Sequence, residues 1–134
     1  MVSDEKLERL ARMGHCGEFA LALHETFGYP LGAFLEEEIL DPYDDWEGPP
    51  PYALAHVFAY LPGHPDKLVH VEGIADRLEV KQETGRWAQG PIREKSYKGR
   101  MPEFLSEWGE VNQDALALFL AYINRNRRRF LLPR

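Results

Sequence analysis

A strand, turn and strand pattern over residues 52–72 constrains the fold of this chain more than any other feature. Residues 52–61 and 67–72 are rich in aromatic and β-branched side chains, which favour strands. The segment between them, Pro62-Gly63-His64-Pro65-Asp66, is typical of a turn. Because strands joined by so short a connection pair antiparallel, the sequence predicts a β-hairpin here.

Three other segments have the spacing of amphipathic helices. Residues 4–13 follow Ser3 and residues 113–128 follow Asn112, and both of these residue types are common N-caps. Residues 16–27 carry a third apolar stripe. The apolar faces consist of Leu7, Leu10 and Ala11; of Phe19, Ala20, Leu23 and Phe27; and of Ala115, Leu116, Phe119, Leu120 and Ile123. This spacing predicts three helices that pack on a shared core.

The segments that remain complete the prediction. Residues 31–40 begin as a strand and run into residues 41–51, an acidic, proline-rich stretch typical of a loop. Residues 74–82 and 101–108 have the pattern of short helices, and residues 92–97 that of a further strand. The resulting fold class is α+β, with one layer of helices packed on one small antiparallel sheet.

Length and cysteine content indicate a single domain in a reducing compartment. The chain has 134 residues, 44% of them hydrophobic, which is typical of one globular domain over residues 1–134. A lone cysteine cannot form an internal disulfide, and the charged start of the chain does not resemble a signal peptide. The longest apolar run, residues 115–123, is shorter than the roughly 20 residues that span a bilayer. We therefore expect a cytoplasmic protein without membrane insertion.

The charge distribution argues against a nucleic-acid partner. Residues 1–124 hold 11 basic and 22 acidic side chains, a formal charge of −11, whereas five arginines follow. A strongly negative body repels phosphate backbones. We interpret the late arginines as cations that oppose the negative dipole end of the last helix.

Cys16 is the candidate nucleophile because it stands at the predicted start of a helix. Unpaired backbone N–H groups and a partial positive charge at that position favour a thiolate, so we expect Cys16 to react at pH 6. The N–H groups of Cys16 and Gly17 would point at the oxyanion of a tetrahedral intermediate. Gly14 and Gly17 would leave room for a substrate backbone. The competing interpretation is a small buried residue on the apolar stripe.

His56 is the candidate base among five histidines. His64 lies in the turn, His24 is two helical turns beyond Cys16, and His15 is its sequence neighbour, whereas His56 interrupts an apolar strand and needs a reason to be there. We expect the sulfur of Cys16 within hydrogen-bond to near-contact range of the His56 ring.

Strand geometry supplies two candidates for a third group. Side chains alternate along a strand, so a hairpin loop of five or seven residues places His70 or Glu72 beside His56. Either side chain would orient the imidazole of His56. The acidic loop precedes the His56 strand, and its Tyr43 and Trp46 are candidates to line a substrate cleft.

The motifs around these residues resemble a known family. The sequence reads GHCGEFALALH at residues 14–24, FGYPL at 27–31, AHVFAY at 55–60 and HVEGI at 70–74. These motifs are similar to the Cys-helix, the His strand and the next strand of papain-like and NlpC-like cysteine peptidases. The resemblance covers about residues 14–75. It implies a papain-like core and hydrolysis or transfer at a peptide, amide, thioester or isopeptide bond through an acyl-thioenzyme. His70 stands where intracellular members often carry Asp, although NlpC-like members use His.

Two other functions compete with this interpretation. Cys16 with His15, His56 and His70 has the ligand types of a zinc site, but no paired-ligand motif accompanies them. We therefore expect neither a metal nor another cofactor. A non-catalytic interaction or immunity-type protein would instead use residues 36–47, in which seven of twelve side chains are acidic, to dock on a basic partner. Oligomeric state is left open.

Overall fold

The computed structural model describes residues 2–38 and 51–132. Within them it has five α-helices, five strands and one short 3₁₀ helix. In chain order these are α1 (Asp4–Arg12), α2 (Cys16–Phe27), β1 (Leu31–Glu37), β2 (Tyr52–Tyr60), β3 (Lys67–His70), β4 (Gly73–Asp76), α3 (Arg77–Trp87), β5 (Ile92–Ser96), α4 (Met101–Trp108), α5 (Gln113–Arg125) and η1 (Arg127–Phe130). The α+β prediction is confirmed. No helix in the described part of the chain has the length and apolar character needed to cross a membrane.

The strands form one antiparallel sheet in the order β4-β3-β2-β1-β5. The predicted hairpin is confirmed as β2 and β3, which pair at Ala59 with Val69 and at Tyr60 with Leu68. This register leaves seven residues between Tyr60 and Leu68, so even-numbered side chains of both strands share one face.

The helix starts predicted from capping residues are also confirmed. Ser3 accepts a hydrogen bond from the N–H of Lys6, and Asn112 accepts one from the N–H of Ala115. Each side chain satisfies a backbone donor that the first helical turn leaves unpaired. Gly28 ends α2 at φ 75°, which few residues other than glycine adopt readily.

Two segments differ from the prediction. Residues 74–82 were expected to be helical, but they divide between β4 and α3. The N-cap of α3 is Asp76, whose carboxylate accepts the N–H of Glu79, so the helix cannot begin earlier. The last helix ends at Arg125 instead of residue 128, and η1 follows it.

Helices cover both faces of the sheet, which corrects the expected single layer. On one face, α1, α2, α4 and α5 enclose the main core, where Phe19 packs edge-on against Phe119 with ring centroids 5.3 Å apart. On the other face a smaller cluster joins Phe34, Phe58 and Leu68 to Val80 of α3. None of the side chains of α3 is fully buried, so its sequence has no clear apolar stripe. The sequence therefore did not indicate that α3 packs on the second face of the sheet.

Candidate active site

Cys16 is the first residue of α2, as predicted, and lies at the edge of the main core. Burial raises the pKa of its thiol, and the nearby carboxylate of Glu18 raises it further. Backbone hydrogen bonds from Val57, Cys16 and Gly17 lower it, but they do not offset burial. The expectation of a thiolate at pH 6 is therefore wrong for the unliganded protein, since desolvation outweighs the helix terminus.

The hydrogen bond from Val57 places the sulfur beside the backbone of β2. Val57 follows His56 directly, so the thiol lies at the peptide that joins the two residues. This contact between α2 and β2 comes from the tertiary fold, and nothing in the local sequence indicates it. It brings the sulfur next to the backbone of the predicted base residue, whose imidazole lies on the opposite face of β2, with Phe58.

His56 lies on the face of β2 that also carries Phe58, and their ring centroids are 6.0 Å apart. The pairing of β1 with β2 shifts register between Phe34 and Leu35, so the strand bulges just before His56. Such bulges change the direction in which a side chain points, and they are common beside active sites. The bulge precedes His56, and the alternation that follows it toward Tyr60 is undisturbed.

His70 is the residue that contacts the candidate base. Its Nδ1 lies 3.2 Å from Nε2 of His56, a hydrogen bond between the two rings. Glu72, the other candidate, is exposed and pairs with Arg12 at 3.3 Å. The structure thus places His70, and not Glu72, against the imidazole of His56.

Both histidines are neutral at pH 7. Burial is the main cause that lowers the pKa of His56 to about 4; the nearby His70 adds to this effect and Glu72 opposes it. Burial also lowers the pKa of His70 to about 4, with a smaller contribution from the positive charge of Arg12. Two rings in contact and away from water are costly to protonate.

Cys16, His56, His70 and Glu72 all line one cavity of about 810 Å³. The four residues predicted to be catalytic therefore lie on the wall of one cavity. Among the described hydrogen bonds none joins Cys16 to His56, so the unliganded site has no direct hydrogen bond between the thiol and the imidazole. The cavity is large enough for a ligand to lie between α2 and the edge of β2.

Gly14 and Gly17 differ in their surroundings. Gly14 is exposed at φ 103° with open space beside its Cα, but it does not line the cavity. Gly17 is buried, and a Cβ added there would overlap the indole of Trp108. The prediction that Gly17 leaves room for substrate is wrong, because that indole fills the space.

Gly17→Ala is expected to destabilise the fold by about 1–3 kcal/mol, the usual cost of overpacking a filled site. Trp108 would have to move away from the N-terminal turn of α2. Chemical denaturation of the two proteins measures the difference. Gly85→Ala is the matched control, because Gly85 is an exposed helical glycine of α3 whose added Cβ would meet nothing closer than 3.9 Å. Equal stability of Gly17→Ala and wild type would contradict the packing of Trp108 on Gly17.

The candidate cleft residues Tyr43 and Trp46 lie outside the described residues, as does most of the acidic loop. The structure adds a wall that sequence reasoning missed, formed by α3 on the far side of the cavity. The lining residues from this wall are Glu79, Val80, Glu83, Thr84, Trp87 and Ala88. In the sequence, the local signal for this wall was a tryptophan, Trp87, that follows a run of polar residues.

The zinc alternative has no geometric support in residues 2–38 and 51–132, where no three metal-type side chains form a group that could hold an ion. His15 contacts Glu18 at 3.4 Å, and His56 contacts His70. Ring nitrogens that would have to bind zinc are thus already engaged in separate hydrogen bonds.

Comparisons with models of protein families, with curated proteins and with solved structures found no match to this chain.

Proposed function

We propose that the protein is a cysteine-dependent acyl hydrolase or acyltransferase of papain-like type. Cys16 is the nucleophile, His56 the base and His70 the group that orients the base. The observation that carries the proposal is the hydrogen bond between His56 and His70 at the wall of the cavity that Cys16 lines. The order of Cys, His and third polar group along the chain supports it, and the lone cysteine fits a cytoplasmic location.

The contact between the rings determines which nitrogen of His56 can act. If Nε2–H of His56 donates to Nδ1 of His70, then Nδ1 of His56 keeps a lone pair for the thiol proton. His70 then carries its own proton on Nε2, a buried atom for which the described residues supply no acceptor. The reverse arrangement would place a proton on Nδ1 of His56 and block the base.

The chemistry starts from a neutral thiol and a neutral imidazole. As the sulfur attacks the acyl carbon, a carbon–sulfur bond forms and the thiol proton moves to His56. The tetrahedral intermediate collapses when the bond to the leaving group breaks, and that group takes the proton from His56. Water or an amine then attacks the thioester, releases the acyl product and returns the proton to the thiol.

Three backbone N–H groups stabilise negative charge during this cycle. Those of Val57, Cys16 and Gly17 lie close enough to the sulfur to lower the pKa of the thiol in the resting protein. They stabilise the developing thiolate, and the helix dipole adds to their effect. Burial favours the neutral thiol in the resting protein. The backbone groups therefore have their largest effect after the proton has moved to His56, when the sulfur carries negative charge.

The experiment is to acylate the protein with p-nitrophenyl acetate at pH 8 and follow release of nitrophenolate. We expect a burst of about one equivalent, with the acetyl group located on Cys16 by peptide mass spectrometry. Cys16→Ser should remove the burst. If the folded protein acquires no acetyl group on Cys16 while the denatured protein does react with a thiol reagent, the catalytic proposal fails.

A non-catalytic interaction protein is the second candidate, and one observation favours it. Cys16 packs against the main core and burial raises the pKa of its thiol, as for a cysteine whose role is packing. The acylation experiment decides between the two, because a packing cysteine has no reason to react faster than an ordinary thiol.

A further inference from the structure

Among the residues that the structure describes, one edge of β2 lacks a strand partner along the wall of the cavity. β1 pairs with β2 along the other edge, whereas β3 pairs with it only at Ala59 and Tyr60. No described strand covers residues 53–57 on the β3 side. Ala55 and Val57 belong to this segment and line the cavity. An unpaired strand edge offers a row of backbone donors and acceptors to an extended ligand.

The N–H and C=O groups of Val57 point away from β1, toward the edge of β2 that borders the cavity. Successive residues of a strand direct their N–H and C=O groups to opposite edges. The N–H of Tyr60 donates to the carbonyl of Pro30 on the β1 side, and the N–H of Val57 points the other way, to the thiol of Cys16. The carbonyl of Val57 points toward the same edge. Because the thiol occupies the N–H and Val57 is 1% exposed, a ligand can pair here only through this carbonyl, at the part of the cavity wall that Val57 lines.

The walls of the cavity are negatively charged. Four carboxylates and one cation line it: Glu36, Glu72, Glu79, Glu83 and Arg12. Arg12 pairs with Glu72, and Arg86 pairs with Glu83 at 2.9 Å. Glu36 and Glu79 have no ion-pair partner among the described residues. A concave surface with this sign attracts cationic ligands.

Trp87 adds an aromatic surface to the same cavity. It ends α3, and 83% of the residue is exposed, although it lines the cavity. Its indole N–H lies 3.4 Å from the carboxylate of Glu83. Packing does not account for a tryptophan so exposed. An indole face beside carboxylates is a favourable site for an ammonium or guanidinium group.

We propose that the cavity binds an extended basic peptide, which adds as a strand to the free edge of β2 and places a lysine or arginine side chain against Trp87. The inference rests on the proposed function, because it names the substrate class of the same site. Main-chain pairing at Val57 would hold the peptide beside the thiol of Cys16, and the carboxylates would select its charge.

Binding is tested in full-length Cys16→Ser protein, in which no chemistry occurs. The probes are a short alternating Lys–Ala peptide labelled with fluorescein and its Glu–Ala counterpart, and fluorescence anisotropy gives their affinities. We expect the lysine peptide to bind at least about tenfold tighter and its affinity to fall as salt is added. Equal affinities, or affinity that ignores salt, would overturn the proposal.

Two further comparisons test the mode of binding. N-methylation of alternate backbone amides should weaken binding in one register and spare it in the other, because only one set faces β2. Trp87→Ala should weaken binding of the lysine peptide severalfold. Leu78→Ala is the matched control, since Leu78 is 57% exposed on the same helix but does not line the cavity.

Equal loss of binding in both N-methylation registers would contradict strand addition. Equal binding by Trp87→Ala and Leu78→Ala would contradict the aromatic site. Either result overturns the proposal. A failure here is distinguishable from failure of the proposed chemistry. Peptide binding needs no acylation, and acetylation of Cys16 by p-nitrophenyl acetate needs no peptide.

Discussion

Replacing His56 with alanine is expected to slow acylation of Cys16 by about 100-fold or more, the usual contribution of a positioned base. Burial keeps the thiol protonated, so acylation depends on a group that accepts its proton, the role proposed for His56. The burst rate with p-nitrophenyl acetate measures the loss. His64→Ala is the matched control, because His64 is exposed between β2 and β3 and should leave the rate unchanged.

His70 should have a smaller effect, because it acts only through His56. We expect His70→Ala to slow acylation by about 10-fold, and His70→Asn to recover part of the loss by accepting the same hydrogen bond. Glu72→Ala should change the rate less, since its carboxylate is exposed and pairs with Arg12. If His56→Ala is acylated as fast as wild type, His56 is not the base.

Acidification from pH 7 to pH 5 is expected to destabilise the protein by about 2 kcal/mol for each buried histidine. The pKa of His56 and of His70 is about 4 in the folded protein, against 6.5 for an unperturbed side chain. Between pH 6.5 and pH 4 the two histidines are therefore protonated in the unfolded chain but remain neutral in the folded chain. The stability these groups contribute is complete above pH 6.5 and is lost as the pH falls toward 4.

The two contributions are not simply additive, because a proton on one ring opposes a proton on the other. Urea denaturation at pH 7, 6 and 5 measures the total, over a range in which most carboxylates stay ionised. A variant with His56→Gln and His70→Gln should lose most of the pH dependence. A wild-type midpoint that does not move between pH 7 and pH 5 would contradict the buried, neutral state of both rings.

The local patterns of the sequence determined the elements and part of the site. The alternation of β2 and β3 and the length of their turn were enough to predict that His70 or Glu72 lies beside His56, because hairpin register is a property of neighbouring residues. Apolar spacing located Cys16 at a helix start for the same reason. These interactions join residues that are close in sequence, so the sequence alone is enough to predict them.

The tertiary structure decided the chemistry of the site. Burial raised the pKa of Cys16 against the local effect of the helix terminus, and Trp108 filled the space at Gly17. The sulfur meets the backbone of Val57 across a distance of 41 residues in sequence, and α3 supplies a wall with Trp87. Desolvation and long-range contact depend on which elements pack together, and this packing is a property of the whole chain that no local pattern encodes.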